Sequence, residues 1–185
     1  MRLIFSIVAA AVAAASSGAN GAMGAPADDP VERVAIILAS GEAALVAGRT
    51  QALRDALVRL EASGAKPLET DAALRWRAHL GRRVPPPQRG RGLGPGYRLG
   101  TLASGEILRL EQIFLGGERA DIAAQTLGSG ALRLEIAAAD NGHAACAPPA
   151  AIRSRCHWVP VFTQRFAIRL TNISGAPVPY YLAIN

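Results

Sequence analysis

The chain has 185 residues, of which 50% are hydrophobic and 18% charged, and this composition excludes a disordered or fibrous protein. Its formal net charge is +6, but five arginines and no acidic residue lie between Arg82 and Arg98, whereas the segments on either side are almost neutral. The basic character therefore belongs to one short segment and not to the chain as a whole.

The first 22 residues have the three-part layout of a secretory signal peptide, with Met1-Arg2 followed by a run of apolar or small side chains over 3–15 and then small residues. Several small residues favour cleavage at about 19–25. A retained membrane anchor is the less favoured alternative because the run is short for a bilayer. We expect a periplasmic or secreted protein with no transmembrane segment after cleavage.

Residues 28–81 have the periodicity of about three short helices. Asp29 is a good N-cap for the first helix, which Gly48 can end, and the second is predicted from Thr50 to Gly64. Lys66-Pro67 is predicted to be a turn, and a third helix follows over about 70–80.

These helices carry apolar side chains on one face but are too short to bury a core alone. Val34, Leu38 and Leu45 mark the face of the first helix, and Leu74 and Trp76 are the large apolar groups of the third. We expect the helices to pack on one another and on either the rest of the chain or a second copy.

The segment 82–96, "RRVPPPQRGRGLGPG", is a linker by composition because its prolines favour extended backbone and its glycines interrupt regular structure. It is predicted to be a solvated spacer. The alternative is contact with an anionic surface, such as lipopolysaccharide, acidic polysaccharide or nucleic acid, through Arg82, Arg83, Arg89, Arg91 and Arg98. Specific nucleic-acid binding is not expected, because Tyr97 is the only nearby aromatic residue.

From Tyr97 onward the apolar period changes to two, and turn signals recur every 8–12 residues, which predicts an antiparallel β-sandwich over 97–185. The alternation of apolar and polar residues is clear in "LRLEI" and "RFAIRLTN", and it is weaker in "RADIAAQTL". The last two runs are predicted to be a hairpin joined through Asn172 to Pro179. The fold class is therefore α+β, with a helical segment followed by a jelly-roll-like sandwich.

Cys146 and Cys156 are the only cysteines, and an even count in an exported chain favours a disulfide. Together with His143 and His157 they also supply four plausible zinc ligands. The disulfide is preferred because Cys156 and His157 are adjacent, whereas paired zinc ligands usually lie two to four residues apart. No metal site and no cofactor are predicted.

Three aromatic residues near the C-terminus are candidates for ligand contact. Trp158 is expected to pack against the disulfide, or alternatively to form a sugar-stacking platform. Tyr180 and Tyr181 must face opposite sides of a strand, so one is expected to be buried and the other exposed to a ligand.

The region 97–185 resembles the bacterial pre-peptidase C-terminal β-sandwich, in its stand-alone secreted form. The matching residues are Gly105-Glu106, Gly117-Glu118, Leu132-x-Leu134, Asp140-x-Gly142, Cys156-x-Trp158-x-Pro160, Asn172 and Tyr181-Leu182. The family's strand at Leu132-x-Leu134 reads "DLDL", and its two acidic positions are here Ala131 and Arg133, so an ion or partner bound by those carboxylates would be lost. The resemblance implies a non-catalytic domain that accompanies secreted enzymes or stands alone.

The sequence shows no nucleophile elbow, phosphate loop or paired-carboxylate signature. The favoured function is a non-enzymatic binding or accessory module of the cell envelope, with an unknown protein or glycan as partner. One alternative is structural self-association of the N-terminal helices as a homodimer. A less favoured one is a hydrolase with its site between the helices and the sheet.

Overall fold

The computed structural model describes residues 29–81 and 94–185. The predicted signal peptide lies outside the described residues. Most of the predicted linker does so too, including Arg82, Arg83, Arg89 and Arg91.

The three predicted helices are α1 (Pro30–Val46), α2 (Thr50–Ala62) and α3 (Ala72–Leu80). α1 begins after Asp29, whose Oδ1 accepts a hydrogen bond from the Val31 amide at 2.9 Å and satisfies an otherwise unpaired donor. α3 begins two residues later than predicted, because Asp71 caps it by accepting from the Leu74 amide at 3.0 Å.

Nine strands among the described residues form two sheets that pack face to face. The strands are β1 (Lys66–Pro67), β2 (Gly96–Leu102), β3 (Ile107–Phe114), β4 (Ala120–Thr126), β5 (Leu132–Ala138), β6 (Ala144–Cys146), β7 (Arg153–Trp158), β8 (Gln164–Asn172) and β9 (Val178–Ile184). The five-stranded sheet has the order β1-β2-β9-β4-β7, and the four-stranded sheet has the order β3-β8-β5-β6. The predicted α+β fold with a β-sandwich is therefore confirmed.

The sandwich interior is filled by alternate residues of the strands, as a period of two requires. Leu132, Leu134 and Ile136 of β5 are buried there, and β8 contributes every second residue in the same way. The outward residues between them are polar or small, so the outer face of the four-stranded sheet is exposed to solvent.

The predicted hairpin of the last two strands is wrong, because β8 and β9 belong to different sheets. β8 pairs with β3 and β5, whereas β9 pairs with β2 and β4. The connection crosses the sandwich and is held by the buried Asn172. Its Nδ2 donates to the carbonyl oxygens of Leu102 at 3.0 Å and Ala176 at 2.8 Å.

Two other predictions of irregular structure are corrected. The predicted turn at Lys66-Pro67 is β1, which pairs in parallel with the first two residues of β2. The segment 141–160 is rich in cysteine and proline, a composition that favours a loop, yet it contains both β6 and β7.

The helices form a layer on the outer face of the five-stranded sheet. α1 lies on β4 and β9, and the buried cluster between them includes Tyr97, Ala123, Tyr181 and Ala183. Trp76 of α3 is fully buried in this cluster, whereas Leu74 is exposed.

The apolar face of α1 is therefore used within the chain. Val34 and Leu38 are fully buried and Leu45 is partly buried against the same cluster. This corrects the alternative in which that face mediates self-association, because the sheet already covers it.

Candidate functional site

The two cysteines close one side of the sandwich. Cys146 on β6 and Cys156 on β7 form a disulfide with a Cα–Cα distance of 5.8 Å, and these strands are edge strands of the two different sheets. Both sulfur atoms are used in this bond, so the zinc set with His143 and His157 is not assembled. No group of three or more potential metal-ligating side chains occurs within residues 29–81 and 94–185.

Trp158 belongs to an aromatic cluster at one end of the sandwich interior. Its ring lies edge-to-face against Phe114 at 4.9 Å and against Phe166 at 5.3 Å between centroids. The indole is half-buried. Three rings in mutual edge-to-face contact stabilise a core, and this packing leaves little of the indole face for a flat sugar.

The prediction that one of the two adjacent tyrosines is exposed is wrong, because β9 is covered on both faces. Tyr180 is 4% exposed and points into the sandwich, whereas Tyr181 is 3% exposed and points toward the helices. Burial, followed by the nearby Glu42 carboxylate, raises the pKa of Tyr181 to about 12, and Arg75 opposes this shift.

Arg98 follows the predicted linker directly and is a residue of β2. Its guanidinium forms an ion pair with Glu69 at 2.5 Å, and its Nε donates to the Tyr180 hydroxyl at 3.0 Å. Arg98 is therefore engaged within the fold. The structure brings Arg98 and Tyr180 into contact, but it does not assemble Trp158, Tyr180, Tyr181 and Arg98 into one site.

A different site lies on the outer face of the four-stranded sheet. Here a hollow of about 380 Å³ is floored by the small side chains of Ala137 and Ala167, with the exposed Ala144 at its rim, so the surface dips between larger neighbours. Arg169 and Glu135 stand at its edge. We call this feature the alanine hollow.

Strand register places three arginines beside the alanine hollow. Arg169 of β8 lies directly opposite Arg109 on β3 and directly opposite Glu135 on β5. Arg133 is two residues before Glu135 and therefore on the same outer face. All three arginines are exposed and form no ion pair with a described residue. We call Arg109, Arg133 and Arg169 the arginine trio.

The arginine trio is an unsatisfied concentration of positive charge. Directly opposite residues on antiparallel strands have Cβ atoms about 5 Å apart, and like charges at that spacing repel. Among the described residues, Glu135 is the only acid directly opposite one of these arginines, and the next acid along β3, Glu111, is already paired with Arg165 at 3.1 Å. The face is therefore suited to bind an anion.

A second hollow, of about 470 Å³, lies between the helices and the end of β4. Its lining includes Ser40 and Asp55, the residue types a hydrolase needs. However, the Ser40 hydroxyl donates to the Ile36 carbonyl at 2.8 Å, and Asp55 accepts from Gln51 at 2.9 Å. No histidine is among the described residues that line this hollow, so no nucleophile and base are paired there.

No family model and no curated protein matches the chain. Solved structures that resemble it include β-sandwich proteins. The pre-peptidase C-terminal domain of collagenase from Bacillus anthracis is 15% identical with a TM-score of 0.39, over 48% of this chain and 87% of that one. Aeromonas hydrophila PliG, a periplasmic lysozyme inhibitor of g-type lysozyme, is 10% identical with a TM-score of 0.41, over 65% and 94%. The Yersinia pseudotuberculosis-derived mitogen is 12% identical with a TM-score of 0.36, over 50% and 85%.

These likenesses are too distant to support a conclusion about activity or partners. The assignment of residues 97–185 to the pre-peptidase C-terminal family therefore stays a prediction. In the part of the chain that the structure describes, no helix combines the length and apolarity needed to cross a membrane.

Sequence reasoning did not identify the alanine hollow or the arginine trio. The arginines were visible as outward residues of alternating strands, but the cross-strand neighbours of each residue depend on the register. The signal available in the sequence was the pairing of Arg with Ala at outward positions of one strand, as in "RFAIR".

Proposed function

We propose that this chain is an exported, non-catalytic binding module of the cell envelope, and that its ligand is an acidic polysaccharide. The ligand lies on the outer face of the four-stranded sheet, with one sugar in the alanine hollow. The observation that supports this most directly is the position of the unpaired Arg169 at the edge of the hollow, with the rest of the arginine trio beside it.

The dimensions and lining of the alanine hollow fit a single sugar ring. Its volume of about 380 Å³ is within the range of small-molecule sites, about 300–1,000 Å³. The methyl groups of Ala137 and Ala167 offer an apolar floor to the C–H face of the ring. Arg169 can donate two parallel hydrogen bonds to a sugar carboxylate, and Glu135 can accept from hydroxyls.

The remaining arginines favour a polymer over a single sugar acid. Arg109 extends the Arg169–Glu135 row onto β3, and Arg133 lies in the next row, so both would meet acidic groups on neighbouring sugars. A single-stranded nucleic acid is the poorer fit because it is normally held by aromatic stacking. None of the described outward residues on this sheet is aromatic.

Export is supported by two independent features. The predicted signal peptide directs the chain out of the cytoplasm, and the Cys146–Cys156 disulfide requires an oxidising compartment to persist.

The proposal is tested by isothermal titration with oligogalacturonate as the carboxylate-bearing probe and dextran as the neutral one. Arg169→Gln should weaken oligogalacturonate binding about tenfold, because a charge-assisted hydrogen bond is lost. The matched control Arg59→Gln removes the same charge from an exposed, unpaired position on α2 and should leave binding unchanged. Equal weakening by both variants would mean that only net charge matters.

A second variant separates shape from charge. Ala144→Tyr places a large ring at the exposed rim of the alanine hollow without altering any charge. We expect it to weaken oligogalacturonate binding by a factor similar to that of Arg169→Gln. Unchanged affinity in this variant would show that the hollow is not the site.

A further inference from the structure

β3 is an open edge of the four-stranded sheet. One side of the strand pairs with β8, and no strand in residues 29–81 or 94–185 pairs with the other. The strand has eight residues, whereas natural edge strands are usually short or interrupted by proline or a bulge. A long, regular edge is a template for another strand.

Hydrogen-bond geometry identifies which backbone groups face the open side. The backbone amide of Asn172 donates to the backbone carbonyl of Glu106 at 3.0 Å. Hydrogen-bonded pairs recur at every second residue of an antiparallel ladder. The even-numbered residues of β3 therefore bond to β8. The odd-numbered residues, which are Ile107, Arg109, Glu111 and Ile113, direct their N–H and C=O groups to the open edge.

The side chains along this edge are unusually apolar for a solvent-exposed strand. Ile113 is 54% exposed and Ile107 is 37% exposed, while Leu108 and Leu110 are only half-buried at the margin of the core. Covering this edge would remove apolar surface from water in addition to pairing its backbone.

The edge is complementary to itself. If two copies of β3 run antiparallel around a two-fold axis at Leu110, Ile107 lies opposite Ile113 of the second copy. In the same register Arg109 lies opposite Glu111 of the second copy. A shift of two residues in either direction instead places Arg109 opposite Arg109 or Glu111 opposite Glu111, and like charges in such pairs repel.

We propose that a second copy of this chain pairs with the β3 edge in this register. The two four-stranded sheets then form one continuous sheet, joined by about eight backbone hydrogen bonds because four edge amides in each copy gain an acceptor. The pairing also relieves a local conflict. Arg109 faces Arg169 within its own sheet, and the second copy's glutamate supplies the opposite charge that Arg109 lacks.

The pairing brings both outer faces to the same side of the joined sheet, because residues opposite each other in a ladder share a face. The two β5 strands are then separated by five strand spacings, or about 24 Å. One polysaccharide chain would then bind in both alanine hollows of the dimer at once. This consequence alone depends on the proposed function.

The dimer is tested by sedimentation velocity of the full chain from about 1 to 300 μM, the range in which a small interface dissociates. We expect a concentration-dependent monomer–dimer equilibrium. Arg109→Glu and Glu111→Arg should each weaken it about tenfold or more, because both Arg–Glu pairs become repulsive. The double charge swap R109E/E111R should restore it, because complementarity returns only in the proposed register.

Arg133→Glu is the matched control, since it makes the same charge change on the same face away from the edge, and dimerisation should persist. A monomer at all concentrations overturns the proposal. A dimer whose dissociation constant is unchanged by the charge substitutions at Arg109 and Glu111 overturns it as well. Hydrogen exchange of the unmodified chain gives a second measurement that needs no variant. Amides of Arg109 and Glu111 should be protected at high concentration and not at low, and equal exchange contradicts the pairing.

Discussion

Gly41 of α1 offers the sharpest test of how the helical layer is packed. It is buried, and a Cβ at this position would overlap the six-membered ring of Trp76, with the ring's Cζ3 only 2.8 Å away. Ordinary contacts between carbon atoms are about 3.5–4.0 Å. The ring cannot easily move, because it is fully buried and its Nε1 donates to Glu42 at 2.7 Å.

Two opposite effects decide the outcome of Gly41→Ala. Alanine is favoured over glycine within a helix by about 1 kcal/mol. Overpacking a tight core costs about 1–3 kcal/mol, and overlap with an anchored ring is a severe case. We therefore expect Gly41→Ala to lower the free energy of unfolding by about 2 kcal/mol, which corresponds to roughly 4–8 °C in Tm for a chain of this size.

Urea denaturation followed by far-UV dichroism measures this change. Ser40→Ala, at the neighbouring exposed position, is the control and should stay within about 0.5 kcal/mol of the unmodified protein. Trp76→Phe removes the ring atoms that a Cβ would meet, so the double variant should be at least about 1 kcal/mol more stable than the sum of the single effects. If Gly41→Ala were as stable as the unmodified chain, the packing of Trp76 on Gly41 would be refuted.

Three further changes test other parts of the fold. Replacing Cys146 and Cys156 by serine should lower the free energy of unfolding by about 2–3 kcal/mol in urea, given the short loop that the disulfide closes, and an unchanged midpoint would contradict this. Asn172→Ala leaves three backbone carbonyl acceptors and one backbone amide donor without their partner. The free energy of unfolding, measured by thermal unfolding, should therefore fall by about 2–4 kcal/mol. A decrease below about 1 kcal/mol would show that water replaces the side-chain amide. Stability should fall as the pH rises from 10 to about 12, because Tyr97 and Tyr181 keep their protons in the folded state up to a pKa of about 12 while unfolded tyrosine ionises near 10. Spectrophotometric titration at 295 nm checks this, and ionisation of both residues near pH 10 in the folded protein would rule it out.

The local elements of this fold could be predicted because each rests on a short-range rule. Asp29 ahead of Pro30 predicts the start of α1, and the alternation around Leu134 and Ile168 predicts which side of each strand is buried. Both rules depend on neighbours within a few residues, and tertiary structure did not override them.

The assignment of strands to sheets could not be predicted in the same way. The connection after Asn172 looks like a hairpin turn, and nothing local distinguishes a turn within one sheet from a crossing between two. The missed signal was composition. β9 is apolar at almost every position, which indicates a strand covered on both faces, whereas β8 alternates. That difference also explains why neither Tyr180 nor Tyr181 is exposed.

The same asymmetry determines where a ligand or a second copy can bind. The helices bury the outer face of the five-stranded sheet, and the disulfide joins its β7 edge to β6 of the other sheet. The four-stranded sheet therefore keeps an open face and, at β3, an open edge. Small residues such as Ala137 and Ala167 stabilise an exposed strand poorly, since they offer little for cross-strand packing. Their presence between the charged residues of β5 and β8 is better explained by the hollow that they create than by stability of the sheet.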